Sequence, residues 1–176
     1  MSRLSEQIDA TIRNVPDFPQ PGIQYKDITP VLSDIRLMRG IIGAFAKQYL
    51  PEKIDVVVGV ESRGFIFGTP LAIAIEASFV PVRKPGKLPA DVISTEYTLE
   101  YGSGSLEIHA DAIRPGQRVV IVDDLLATGG TLAASKKLVE ELGGVVVGCA
   151  VVINLAFLNG ASRLGDTPVM SLVDYE

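Results

Sequence analysis

The chain has 176 residues, 47% of them hydrophobic, and carries 16 Lys and Arg against 21 Asp and Glu, a net charge of −5. That length fits one domain with a real core, the apolar content excludes disorder, and the acidic balance argues against nucleic-acid binding, which rests on a basic footprint. No uncharged apolar run reaches the roughly 18 residues that a membrane helix needs, the opening Met-Ser-Arg-Leu-Ser-Glu-Gln carries no signal peptide, and the single cysteine, Cys149, cannot close an internal disulfide. The expectation is a cytoplasmic chain without membrane or nucleic-acid partners, in which any phosphate-rich ligand must find local cations.

Leu4, Ile8, Ile12 and Val15 form a helical stripe over residues 3–15. Pro16, Pro19 and Pro21 then force an extended path as far as Gly22. The segment Ile23-Gln24-Tyr25-Lys26-Asp27-Ile28 is too short for a helix before Pro30. Ser33 or Asp34 can cap a helix with Met38, Ile41, Ile42, Phe45 and Tyr49 on its face, which stops at Pro51. Residues 55–60 read as a buried strand, followed by Glu61-Ser62-Arg63-Gly64 and an apolar helix with Phe65, Phe67, Leu71 and Ile75. Residues 79–82 form a second strand that runs into Arg83-Lys84-Pro85-Gly86-Lys87. Residues 88–117 are polar; residues 97–101 and 106–108 read as short strands around Gly-Ser-Gly at 102–104, a hairpin pattern. His109, just beyond it, reads as local structure rather than as a catalyst.

Residues 119–132, Val-Val-Ile-Val-Asp-Asp-Leu-Leu-Ala-Thr-Gly-Gly-Thr-Leu, carry the densest chemistry. Four β-branched residues predict a strand buried on both faces, closed by Asp123 and Asp124 at the edge where an α/β sheet presents its ligand. Ala127, Thr128, Gly129, Gly130 and Thr131 then run into a helix, so backbone N–H groups and threonine hydroxyls converge on an anion. The carboxylates accept hydrogen bonds from sugar hydroxyls or face a metal carried by the anion. An anion cradle beside paired acceptors points to a phosphorylated sugar. No Lys follows the second glycine, which excludes a Walker loop, and G-x-G-x-x-G is absent, which excludes a dinucleotide fingerprint. The helix carries Ala134, Leu138 and Leu142 and ends at Gly143-Gly144. Residues 145–153 form another strand and residues 169–173 an edge strand. Strands alternating with helices predict an α/β fold with a mostly parallel twisted sheet. The loops at 61–64 and 127–131 both follow parallel strands, so they face one ligand, and Arg63 with backbone N–H groups suits a second phosphate.

The run 119–131 resembles the phosphoribosyl-diphosphate signature of the type I phosphoribosyltransferases. The resemblance narrows to the adenine-using members of that family and covers nearly the whole chain. It rests on Phe18-Pro-Gln-Pro-Gly22 with Lys26-Asp-Ile-Thr-Pro30, Glu61-Ser-Arg-Gly-Phe65, Arg83-Lys-Pro-Gly-Lys-Leu-Pro89, Leu99-Glu-Tyr-Gly102 and Asp123-Asp-Leu-Leu-Ala-Thr-Gly-Gly-Thr131, five motifs in one order. It implies a single type I phosphoribosyltransferase domain with a hood at 1–32 and a mobile β-hairpin loop at about 86–110. The implied activity is transfer of phosphoribosyl from 5-phosphoribosyl 1-diphosphate to adenine, giving AMP and diphosphate, with Mg²⁺ carried on the diphosphate and no dedicated protein cage.

By the same resemblance, 127–131 hold the 5′-phosphate, and Asp123 and Asp124 hold the ribose hydroxyls and help place the metal. Glu61, Ser62, Arg63, Arg83, Lys84 and Lys87 belong to the diphosphate, with a cis peptide at Glu61–Ser62 and Arg83 reaching the site of a partner in a homodimer. Glu100 is the catalytic proton-transfer group, in a loop that closes over an oxocarbenium-like state and excludes water. Backbone groups around Gln24 and Lys26 read the exocyclic amine, Tyr25 stacks on the base, and Leu126 covers its other face. No Lys occurs from 138 onward, where an enzyme for 6-oxopurines commonly has one, and this favours a 6-amino base. A ligand-sensing regulator of the same fold is the alternative class and needs a basic surface; a diphosphokinase needs a much longer chain.

Overall fold

The computed structural model describes residues 2–98 and 103–176. In chain order the elements are α1 (Arg3–Thr11), β1 (Arg13–Pro16), β2 (Gln24–Asp27), α2 (Thr29–Leu32), α3 (Ile35–Tyr49), β3 (Val56–Val60), α4 (Gly64–Ala74) and β4 (Ser78–Val82). Then come β5 (Val92–Thr98), β6 (Ser103–His109), β7 (Arg118–Leu126), α5 (Gly130–Glu141), β8 (Val145–Leu155) and β9 (Val169–Tyr175), with a 3-10 turn at Gly160–Leu164 between the last two strands.

Strands β4-β3-β7-β8-β9 form, in that order, a five-stranded sheet in which every pairing is parallel. β3 and β7 are neighbours, and the chain leaves them in opposite directions, to β4 on one side and to β8 on the other. Such a topological switch point opens a crevice at the carboxyl ends of the two strands. β3, Val-Val-Val-Gly-Val, is buried throughout, and β7 is buried from Val119 to Asp124. β-Branched side chains suit a strand covered on both faces. Alternate residues feed two cores. Val120 and Val122 pack with Ile41 and Phe45 of α3 and Phe67 of α4. Val119 and Ile121 join Leu132, Leu138 and Val139 of α5 and Leu106 and Ile108 of β6. Cys149 is fully buried in that second core, where burial pushes its thiol up to about 12.

The Asp34 carboxylate caps α3 by accepting from the amides of Arg36 and Leu37, and α5 gives way to Gly143 at φ +83°, as a helix C-terminus favours. Two local expectations are revised, and one short element is new. α1 stops at Thr11, and Val15 lies in β1, opposite Tyr25 of the antiparallel β2. Pro16 disfavours helical backbone at Val15, so the apolar stripe over 3–15 runs across a helix and into a strand. A short helix, α2, begins where Pro30 occupies a first-turn position, a place that needs no amide donor. In the hairpin, β5 and β6 are seven residues each, and Gly104 lies within β6 opposite Tyr97 instead of in the turn. A Cβ at Gly104 would stand 2.7 Å from Cζ of Tyr97, so the glycine makes room for the ring.

Candidate active site

A cavity of about 360 Å³ opens at the switch point. Its floor is the end of β7, from Asp123 to Leu126; its rim is Ala127–Thr131, with Glu61, Arg63 and Lys84 on one side and Tyr97 and Leu106 of the hairpin on the other. Gly129 caps α5 at φ +80°, a left-handed conformation that side chains resist. This turn aims the first N–H groups of α5, which have no partner inside the helix, at the cavity. The segment 127–131 therefore has the form of an anion seat.

Asp123 and Asp124 are only 9% and 6% exposed. Burial pushes the Asp123 carboxyl well above the usual carboxylate range, and the charge of Asp124 adds to the effect; the Asp124 amide, which donates to Asp123 Oδ1 at 2.9 Å, and Arg63 work against it. The guanidinium of Arg63 pairs directly with the Asp124 carboxylate through Nε. Burial opposes the charge on Arg63, but Asp124 outweighs it, with Tyr25 and Asp123 contributing, and the guanidinium is held above its usual range. Two acids at the floor thus share one cation from the neighbouring loop.

That loop is tied to the next strand by Glu61. Its carboxylate accepts from Arg83 Nε at 3.2 Å, Arg83 Nη2 at 3.3 Å and the Lys84 amide at 3.0 Å. Burial alone would raise the Glu61 carboxyl; these donors, together with the charges of Arg83 and Lys87, outweigh it and hold it below its usual range. Arg83 Nη1 also donates to the Lys87 carbonyl at 3.0 Å, and its backbone exchanges hydrogen bonds with Glu107, so the hairpin is fastened at the same point. The Glu61–Ser62 peptide is cis. Ser62, Lys84 and Lys87 are exposed.

The strands β1 and β2 stand apart from the central sheet. Phe18, preceding a cis proline, meets Tyr25 edge-on with centroids 5.1 Å apart, a favourable aromatic geometry. Tyr25 and Lys26 are half-buried and Gln24 is exposed; none of the three lines the cavity. Leu126 does, but it is 1% exposed and belongs to the second core. Leu125, not singled out from the sequence, is its more exposed neighbour on the cavity wall and packs towards the first core. Sequence reasoning also missed Tyr97 and Leu106, because their part in the wall depends on how the hairpin folds back. Glu100 lies outside the described residues. Among the described residues no three His, Cys, Asp or Glu converge as metal ligands. The two carboxylates at the floor suit a cation that brings most of its oxygen ligands from a phosphorylated substrate and water.

The phosphoribosyl transferase domain family matches residues 27–167. An adenine phosphoribosyltransferase of Triticum aestivum is 54% identical over 168 residues, 96% of this chain and 93% of that protein. The crystal structure of the adenine phosphoribosyltransferase of Thermoanaerobacter pseudethanolicus superposes with a TM-score of 0.94 at 53% identity, covering 97% of this chain and 99% of that one. The Saccharomyces cerevisiae enzyme, crystallised with an imino-altritol bisphosphate and adenine, gives 0.93 at 41% identity over 98% of this chain and 99% of that one. With the cradle, the paired acids and the cationic loop gathered at one switch point, the chain belongs to the adenine phosphoribosyltransferases of the phosphoribosyl transferase family.

Proposed function

We propose that this cavity carries out the family's reaction in purine salvage: adenine and 5-phosphoribosyl 1-diphosphate give AMP and diphosphate. The observation that carries the reading is the seat at 127–131 set beside two buried carboxylates. The 5′-phosphate takes the amides and hydroxyls of the seat, and the ribose hydroxyls donate to Asp123 and Asp124. Arg63, Lys84 and Lys87 offset the charge of the diphosphate. Arg63 then exchanges Asp124 for the incoming anion, while Ser62 and Glu61 shape the loop and Arg83 serves the partner's site in a homodimer. A Mg²⁺ ion carried on the diphosphate would neutralise charge on the leaving group, and Asp123 and Asp124 are the side chains beside which it would sit.

The base nitrogen attacks the anomeric carbon as the bond from that carbon to the diphosphate oxygen breaks, and Glu100 takes the proton the base gives up. Residues 1–32 form the hood, where backbone groups at Gln24 and Lys26 read the exocyclic amine and Tyr25 stacks on the base. Leu125, on the cavity wall, supplies the apolar surface opposite, with Leu126 buried in the core beneath it. The hairpin within 86–110 is the lid that keeps water from the oxocarbenium-like state. The yeast relative's complex with a sugar-bisphosphate mimic and adenine supports this choice of ligands. No helix among the described residues is long and apolar enough to cross a membrane. The test is turnover of adenine, hypoxanthine, guanine and xanthine with phosphoribosyl diphosphate and Mg²⁺. AMP formation with adenine strongly preferred is expected; equal specificity constants for adenine and hypoxanthine would overturn the reading of the base.

A further inference from the structure

The back of the phosphate seat is another stretch of backbone. A Cβ built on Gly129 would stand 2.2 Å from the Gly160 carbonyl oxygen, and one on Gly160 would stand 2.1 Å from the Ala127 oxygen, 2.8 Å from the Gly129 nitrogen and 2.9 Å from the Thr128 carbonyl carbon. Every atom met is main chain, so no side chain can swing aside to make room. Two glycines, one from the seat and one from the connection between β8 and β9, let the two backbones touch.

The segment behind the seat is itself anchored. Leu164 is fully buried in the second core, and its carbonyl accepts from Lys136 Nζ of α5 at 2.9 Å. Asn159, at φ +51°, sets the entry to the turn, and its carbonyl accepts from Ser162 Oγ at 2.7 Å. Gly160 is thus held from α5 and from the core while it presses on 127–129 from the side away from the ligand.

We infer that Gly160 is a positioning residue for the 5′-phosphate: its bare backbone sets the curvature of residues 127–129, and Lys136, acting through the Leu164 carbonyl, keeps it there. The inference rests on the reading of 127–131 as the phosphate seat. A methyl group at 160 has to displace the seat towards the cavity, and amides aimed at an anion lose their alignment with a shift of this size. The cost falls on the phosphorylated substrate and not on the base.

The experiment measures KM for phosphoribosyl diphosphate and for adenine, each at saturating co-substrate, and thermal stability, in Gly160→Ala, Lys136→Met, Lys137→Met and Thr131→Val. Gly160→Ala is expected to raise KM for phosphoribosyl diphosphate about tenfold to a hundredfold, the scale on which a displacement of about 1 Å acts, with KM for adenine unchanged. Lys136→Met introduces no overlap, remains informative if Gly160→Ala does not fold, and is expected to shift the same constant in the same direction by less. Lys137→Met removes an equal charge from an exposed position and should leave both constants alone. A fall in thermal stability with both KM values intact in Gly160→Ala, or no effect of Lys136→Met beyond that of Lys137→Met, overturns the inference. If Thr131→Val also leaves the constant unaltered, the reading of the seat itself fails. If Thr131→Val alone raises it, only the role of Gly160 falls.

Discussion

The ammonium of Lys26 lies 3.8 Å above the centre of the Tyr175 ring. The same nitrogen donates to Asn14 Oδ1 at 2.6 Å, and the Tyr175 hydroxyl donates to Asp9 Oδ1 at 2.6 Å. The last strand of the central sheet therefore grips α1 and β2 directly, and β1 through Lys26. A cation over a ring at an exposed site contributes about 0.5–1 kcal/mol, and a hydrogen bond to a charged group somewhat more. Tyr175→Ala is expected to raise KM for adenine several-fold and leave that for phosphoribosyl diphosphate in place; Tyr175→Phe, which keeps the ring, should do less. Steady-state kinetics decide it, and equal shifts in both constants would detach the hood from base recognition.

Asp123 separates activity from stability. Its folded-state pKa is raised by burial first and by Asp124 second. The folded chain thus binds more protons than the unfolded one above the unfolded value, about 3.9. The stability contribution is fully present below that pH and is lost as pH rises through the folded pKa. At neutral pH Asp123→Asn should melt at or above the wild-type temperature while turnover falls about a hundredfold or more, as for loss of a preorganised polar group. Calorimetry across pH tests the first half, and a lower melting temperature in the variant would refute it.

Arg63 holds Asp124 in the structure and has to leave it to meet a diphosphate. Arg63→Gln should raise KM for phosphoribosyl diphosphate and weaken product inhibition by diphosphate together, by about tenfold or more for one charge-assisted contact. Inhibition constants for diphosphate measure this; a change in KM without one in product inhibition would place Arg63 elsewhere.

Gly64 opens α4 against β7, and a Cβ there would stand 2.5 Å from the Val122 carbonyl oxygen. Gly64→Ala should cost about 1–3 kcal/mol, the range for overpacking a close contact. At Gly43, inside α3 and with open space around it, alanine should add about 0.4–1 kcal/mol by helix preference and a less free unfolded chain. Denaturant melts of the two variants are expected to move in opposite directions.

Residues 119–131 show what a sequence discloses by itself. A buried strand, two acids, a glycine turn and a helix start are contiguous, and each follows from local preferences of backbone and side chain. The loop at 61–64 was readable for the same reason, since a parallel sheet brings both loops to one edge. The hairpin was legible as a pattern but not in its bounds: Gly104 looks like a turn residue until the Tyr97 ring opposite it is seen.

What the chain order could not supply was which distant pieces meet. Arg63 and Asp124 are 61 residues apart, and Asp9 and Tyr175 are 166 apart; nothing in their local surroundings marks them as partners. Gly160 looks like any loop glycine, and Leu125 and Leu126 are alike on paper, although one stays partly exposed and the other vanishes into the core. The sequence alone determined the fold class, the glycine turn and the acids beside it, because those rest on short-range conformational preference. Only the tertiary structure decided how the acids are paired, what backs the glycine turn and what holds the N-terminal elements, because these depend on contacts that exist once the sheet has closed its two cores.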